Sequence, residues 1–153
     1  DALIKHKKEG SPVQTFPGGQ AMDSDELVGI KCDIWIPAAR PDVLTENNVD
    51  QLKAKLVIHG ANIPATETAE QLMHERGILN IPDFIANAGG VICAAVEFGG
   101  GSESQVMDTI EEKIRTNTLE SLERSKKENL SPREAGVKMA FSRIEKAMTD
   151  HDT

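Results

Sequence analysis

The chain has 153 residues, 39% of them hydrophobic, enough for one domain that buries roughly two-thirds of its unfolded surface. Its formal net charge of −8 at pH 7 argues against nucleic acid and anionic membranes as partners, because both reward cationic patches. No apolar run approaches the ~20 residues of a membrane span, and no signal-peptide pattern leads the sequence.

In chain order, residues 2–8 read as the tail of a helix ended by Gly10, and the lysines there, Lys5, Lys7 and Lys8, as a solvated face. Residues 13–16 read as a short strand broken by Pro17-Gly18-Gly19, and residues 26–30 as a link into the next strand. That strand, residues 32–39 (CDIWIPAA), is of the buried type around Ile34 and Ile36 and ends in Pro37-Ala38-Ala39. Residues 41–54 form a crossover in which Val43, Leu44, Val49 and Leu52 pack back on the sheet. A second strand, residues 55–62 (KLVIHGAN), ends in Gly60-Ala61-Asn62. Thr66 is a helix N-cap for a crossover helix over 69–76, with Glu67 and Glu70 placed to favour its dipole. Ile78, Leu79 and Ile81 form a third strand, stopped by Pro82 and Asp83, after which Asn87-Ala88-Gly89-Gly90 opens an apolar helical run over 91–98. Gly99-Gly100-Gly101 is a helix stop rather than a phosphate loop.

The last third is helical. Val106, Ile110, Ile114, Leu119 and Leu122 keep a broken apolar stripe over 102–127. Ser131-Pro132-Arg133-Glu134 is a capping box with proline at the first helical position. Val137, Ala140, Phe141, Ile144 and Met148 line one face of the helix that follows, which either covers the sheet or packs across to another domain. The strand spacing suits right-handed parallel crossovers, so the expected fold is α/β: a partial Rossmann-like parallel sheet over 1–101 with long C-terminal helices over 102–153.

Ligands of open parallel sheets bind at the carboxyl ends of the strands, where backbone N–H groups are left unpaired. Three strands here deliver small residues, and twice an asparagine, to one such edge. Glycine lets a ring approach the main chain, and an asparagine offers both a donor and an acceptor to a planar amide. Asn62 and Asn87 taken singly could be helix caps, but together, beside glycines, they favour a nicotinamide site. His59 is either structural or exposed, and His6, His74 and His151 lack metal spacing. Asp33 and Glu97 lie in apolar runs, where one of them is expected to be a buried carboxylate. Cys32 and Cys93 stand in apolar contexts without CxxC or histidine spacing, which predicts buried, reduced thiols and a cytoplasmic setting.

The order PAA, GAN, NAGG with these spacings resembles the amino-acid dehydrogenase family that contains the glutamate, leucine, phenylalanine and valine dehydrogenases, and within it most resembles glutamate dehydrogenase. The resemblance covers the second half of that family's nucleotide-binding domain. It implies oxidative deamination of an L-amino acid to a 2-oxo acid with NAD or NADP, in a homo-oligomer. Ala38, Ala39 and Gly60 would lie against the cofactor, Asn62 would bond near the nicotinamide ribose, and Asn87 would bind the carboxamide. Ala94 stands where glutamate dehydrogenases usually carry a serine that helps hold the substrate carboxylate, and His59 where many of them have glutamate. The G-x-G-x-x-G fingerprint and the family's catalytic lysines are absent, which implies a portion that works with an N-terminal catalytic domain and is inactive alone. The strand around Ile34 would then lack its neighbour, leaving an edge open to self-association or to capture of residues 13–16. Two readings stand beside this one: a non-catalytic half-Rossmann module for assembly or regulation, and a different Rossmann-type oxidoreductase.

Overall fold

The computed structural model describes residues 1–151, without the side chain of His151. The end of the expected 102–153 segment and the expectation for His151 therefore lie outside the described residues. Three short parallel strands, β1 (Ile34–Trp35), β2 (Leu56–Ile58) and β3 (Leu79–Ile81), form a sheet in the order β1-β2-β3. The register pairs Ile34 with Leu56, and Val57 with Asn80. Around it lie α1 (Ala2–Lys8), α2 (Glu67–Glu75), α3 (Asp83–Ala86), α4 (Gly89–Phe98), α5 (Glu103–Glu128) and α6 (Pro132–His151).

The central strand divides the core. Val57 points into a cluster of Val28, Leu44, Val49, Leu52, Ala54, Ala65, Ala69 and Met73, while Leu56 and Ile58 face Ile81, Ile85, Met139 and Leu122. The crossover from β1 to β2 is not a helix but a loop with one 3-10 turn, Val49–Gln51. Arg76, just past the end of α2, holds it by donating to the carbonyls of Val49 and Leu52. Thr66 caps α2 as expected, its hydroxyl accepting from the Ala69 N–H at 3.2 Å. Ser102 and Gln105 form a capping box on α5, Asn129 ends that helix in the left-handed conformation at φ 54°, and Ser131 with Glu134 caps α6. The two long helices thus turn back on each other within three residues, and Arg143 ties α6 to Asn117 and Glu120 of α5.

The structure corrects several expectations. Residues 13–16 are not a strand: Val13–Thr15 is a 3-10 turn, because Pro12 fixes its entry and it has no strand to pair with. It is not captured at the sheet edge, and among the described residues no strand pairs with the outer side of β1. Ile34 and Ile36 are not buried but 53% and 57% exposed; the intervening Trp35 faces the core side, since alternate strand residues point opposite ways. Asp33 and Glu97 are both exposed, Asp33 in a surface pair with Lys55 at 3.0 Å; the buried carboxylates are Glu70 and Asp83. Cys32 and Cys93 are free but only half-buried. Of the two roles left open for the face of Val137, Ala140, Phe141, Ile144 and Met148, covering the sheet is the one excluded: these residues are exposed, and α6 is seated instead by Ala135, Gly136 and Met139. Gly136 allows this seat, since a Cβ there would meet Phe84 and Ile85 at 3.0 Å.

Two methionines report this division. Replacing the fully buried Met73 by alanine is expected to cost about 2–5 kcal/mol in urea unfolding. Met148→Ala, on the open face of α6, is expected to change stability by less than about 0.5 kcal/mol.

Candidate functional site

The carboxyl ends of β1, β2 and β3 converge as the parallel topology requires. After β1, Ala38 comes so close to Gly60 that a Cβ at Gly60 would lie 2.9 Å from the Ala38 Cβ. The glycine is therefore needed for strand-end packing, a reason the sequence did not reveal. The N–H groups of Gly60 and Ala61 both donate to the Pro37 carbonyl, at 3.1 and 2.9 Å. His59 N–H donates to Ile81 and Ile63 N–H to Asp83. The expected row of free backbone donors after β2 is thus largely spent inside the fold.

Two such side chains meet. Asn62, beyond β2, and Asn87, between α3 and α4, are brought together by the fold: Asn87 Nδ2 donates to Asn62 Oδ1 at 2.7 Å. Neither is a side-chain cap; Asn87 ends α3, its N–H donating to the Asp83 carbonyl at 2.8 Å, and α4 begins at Gly89 without a side-chain cap. Asn62 is exposed and Asn87 half-buried, so the pair is within reach of solvent. The remaining amide groups of the two side chains have no hydrogen-bond partner among the described residues. An acceptor and several N–H donors at one solvent-facing point suit a planar carboxamide, which needs one of each. Ala38 and Ala39, after β1, are exposed, Ala38 lying against Gly60, whereas Ala94 is exposed in the second turn of α4.

Beneath the pair lies a charged cluster that the sequence did not disclose. Arg133, from the first turn of α6, forks onto Glu70 of α2 at 2.6 and 2.7 Å and reaches Asp83 at 2.8 Å. Its guanidinium also stands over the Phe84 ring, 5.3 Å from the centroid. The other oxygen of Asp83 accepts from the Ile63 N–H at 2.9 Å. Burial favours protonation of Asp83, but the Ile63 N–H and the Arg133 bond outweigh it and hold the carboxyl below its ordinary value. In sequence these residues carry only local meanings: a dipole-facing glutamate, a strand stop and a member of a capping box. Nothing in their spacing announces that they meet.

His59 is fully buried beside them, its Nδ1 3.7 Å from Glu70, and neither ring nitrogen is hydrogen-bonded. Burial pushes its pKa down to about 4; the Asp83 charge opposes this and Arg133 adds to it. His59 is thus a neutral, structural histidine rather than a ligand-facing one. A cleft of about 860 Å³ lies elsewhere, between α2 and the start of α6, with Glu67, Gln71 and Lys138 on its walls; it touches the Arg133–Glu70 pair but not the asparagines. Among the described residues no three histidine, cysteine or carboxylate groups are placed to hold a metal, and no helix is long and apolar enough to cross a membrane.

The chain and its fold are similar to known proteins. The family model for Glutamate/Leucine/Phenylalanine/Valine dehydrogenase matches residues 1–152. A glutamate dehydrogenase of Thermotoga maritima is 33% identical over 150 residues, covering 94% of this chain. The chain spans only 36% of that relative's length. The fold is similar to that of L-tryptophan dehydrogenase from Nostoc punctiforme, with a TM-score of 0.79 at 24% identity over 95% of this chain and 43% of that one. It is also similar to the hetero-hexameric glutamate dehydrogenase from Thermus thermophilus, with a TM-score of 0.78 at 21% identity over 95% of this chain and 35% of that one. The chain belongs to the Glu/Leu/Phe/Val dehydrogenase family.

The buried histidine gives the site a pH signature. Its folded pKa near 4 lies below the ordinary 6.5, so between those values the unfolded chain takes up a proton that the folded chain refuses. Stability is complete above pH 6.5 and falls toward pH 4, with a slope of up to about 1.4 kcal/mol per pH unit. Asp83, depressed as well, adds a loss in the same direction at lower pH. Urea midpoints measured from pH 7.5 to 4.5 are expected to show this fall, and His59→Gln to flatten its upper part.

Proposed function

We propose that the chain forms the nicotinamide-facing half of the cofactor site of an NAD(P)-dependent amino-acid dehydrogenase, which deaminates an L-amino acid oxidatively to a 2-oxo acid. The observation that carries this is the contact of Asn62 with Asn87, residues from two different strand ends joined at 2.7 Å with amide groups to spare. Asn87 would bind the cofactor carboxamide and thereby select the ring face that is presented; Asn62 would hold Asn87 and reach the adjoining ribose. Ala38, Ala39 and Gly60 would form the close wall beside them. When bound, the cofactor supplies the hydride-accepting chemistry; these residues supply orientation.

Fewer than half the residues of the relatives are represented in this chain. The proton transfers and the adenosine side of the cofactor site would then fall to an N-terminal catalytic domain and the preceding half of the nucleotide-binding domain. Residues 1–101 would form the partial nucleotide unit and 102–153 the helical segment joined to it. The outward apolar face of α6, with Phe98 and Val91 of α4 exposed at 97% and 77%, is the kind of surface that such a partner or a second subunit would cover. In a homo-oligomer a second subunit would cover that surface.

On this reading the 153-residue chain alone shows no amino-acid-dependent reduction of NAD or NADP. It should bind nicotinamide mononucleotide no tighter than about millimolar, and Asn87→Ala should remove that binding. Calorimetry that finds micromolar binding of NAD, or weak binding unchanged by Asn87→Ala, would falsify the half-site.

Ala94 would stand at the substrate side chain. A methyl group there offers no hydrogen bond to a distal carboxylate, a loss on the order of 1.5–3 kcal/mol. In the enzyme that carries this chain, Ala94→Ser should raise kcat/KM for glutamate over apolar amino acids about tenfold while leaving the nucleotide KM nearly unchanged. If the substitution alters neither, Ala94 does not read the substrate.

A further inference from the structure

The residue after Asn62 is the most strained in the neighbourhood. Ile63 is β-branched yet holds φ at 48°, in the left-handed region that such side chains avoid. Its own side chain is 61% exposed, so packing does not impose this conformation. The main chain is gripped instead: the Ile63 N–H donates to Asp83 Oδ2 at 2.9 Å, and its carbonyl accepts from the Asp42 N–H at 3.0 Å.

Asp83 touches both halves of the asparagine pair. Its carboxylate fixes the backbone immediately after Asn62, and its own carbonyl receives the N–H of Asn87 at 2.8 Å. The carboxylate in turn is held by Arg133, which cannot swing away because Glu70 occupies the other side of its fork at 2.6 and 2.7 Å. A continuous chain of contacts therefore runs from the first turn of α6 through Asp83 and Ile63 to Asn62 and Asn87.

We propose that Asp83 and Arg133 are positioning residues for the Asn62–Asn87 pair, holding Ile63 in its left-handed conformation so that the two side chains meet. Neither need touch a ligand. The inference rests on the reading above only for its consequence, the orientation of a cofactor carboxamide; the geometry it describes lies within this chain.

The test uses the ¹⁵N-labelled chain without cofactor and follows two signals, the Ile63 amide and the Asn87 side-chain amide. In Asp83→Asn the Ile63 amide should exchange about tenfold faster or more, as expected for loss of a charge-assisted hydrogen bond. The Asn87 side-chain protons should move to the position of a free carboxamide. Arg133→Lys keeps the charge but not the fork, and carries the same test if Asp83→Asn does not fold. The amide pattern of β2 and β3 reports whether each variant is folded.

Adding Ile63→Asn to Asp83→Asn supplies the discriminating result. Asparagine enters the left-handed region readily, so the bound Asn87 signal should return although no contact of Asp83 has been restored. A network that merely ties α6 to the core would lower stability, leave the Asn87 signal in place in the folded variants, and gain nothing from Ile63→Asn. An unmoved Asn87 signal, or no rescue, overturns the proposal and leaves the cofactor reading standing. Failure of the mononucleotide titration does the reverse.

Discussion

The fork of Arg133 onto Glu70 and Asp83 joins three elements of the fold through one side chain. Glu70 comes from the helix between β2 and β3, Asp83 from the turn after β3, and Arg133 from a helix that begins fifty residues later. Both carboxylates are buried, and removing such groups from water is costly unless each oxygen finds a donor. Here the donors are supplied: Arg133 serves Glu70 twice and Asp83 once, and the Ile63 N–H serves the remaining Asp83 oxygen. Without the guanidinium, the two buried carboxylates would lose the cation they share. The start of α6 and the geometry after β2 thus depend in part on one side chain.

That dependence explains the form of the strand-end site. A dinucleotide site often uses bare backbone donors, but here the turn after β2 has closed on itself through Pro37, Ile81 and Asp83. The glycine at 60 serves the approach of Ala38. On the proposed reading, selectivity would then fall to the two asparagine amides, whose direction would follow the backbone torsions beside them. A site of this type is only as well ordered as the residue that sets those torsions, and at Ile63 the local preference runs against the observed conformation.

Much of this was legible in the sequence, and the exceptions share a cause. The three parallel strands, the caps at Thr66 and Ser131, and the meeting of GAN with NAGG follow from periodicity, local hydrogen bonding and strand-end chemistry, all of which act over a few residues. Ile34 and Ile36 misled because alternation says which residues share a face but not which face is covered; a two-residue edge strand exposes them. The stripe of Val137, Phe141, Ile144 and Met148 is a correct helical face, yet its outward direction is set by Arg133, Ala135 and Met139 at the other end of the helix. Glu70, Asp83 and Arg133 each had a sufficient local role, and contacts spanning 50 and 63 residues leave no periodic trace.

The same helix is thus bound at its start and open along the rest. Over twenty residues, about 30 Å of α-helix, α6 passes from a buried ionic fork to a row of exposed apolar side chains. α4 shows the complementary situation: ten mainly apolar residues with none buried, resting on α5 directly beyond Asn87. Cover over these two surfaces would remove apolar area from water and would also fix the elements on either side of the asparagine pair. The hydrophobic burial and the order of the proposed site would therefore be supplied by the same contacts.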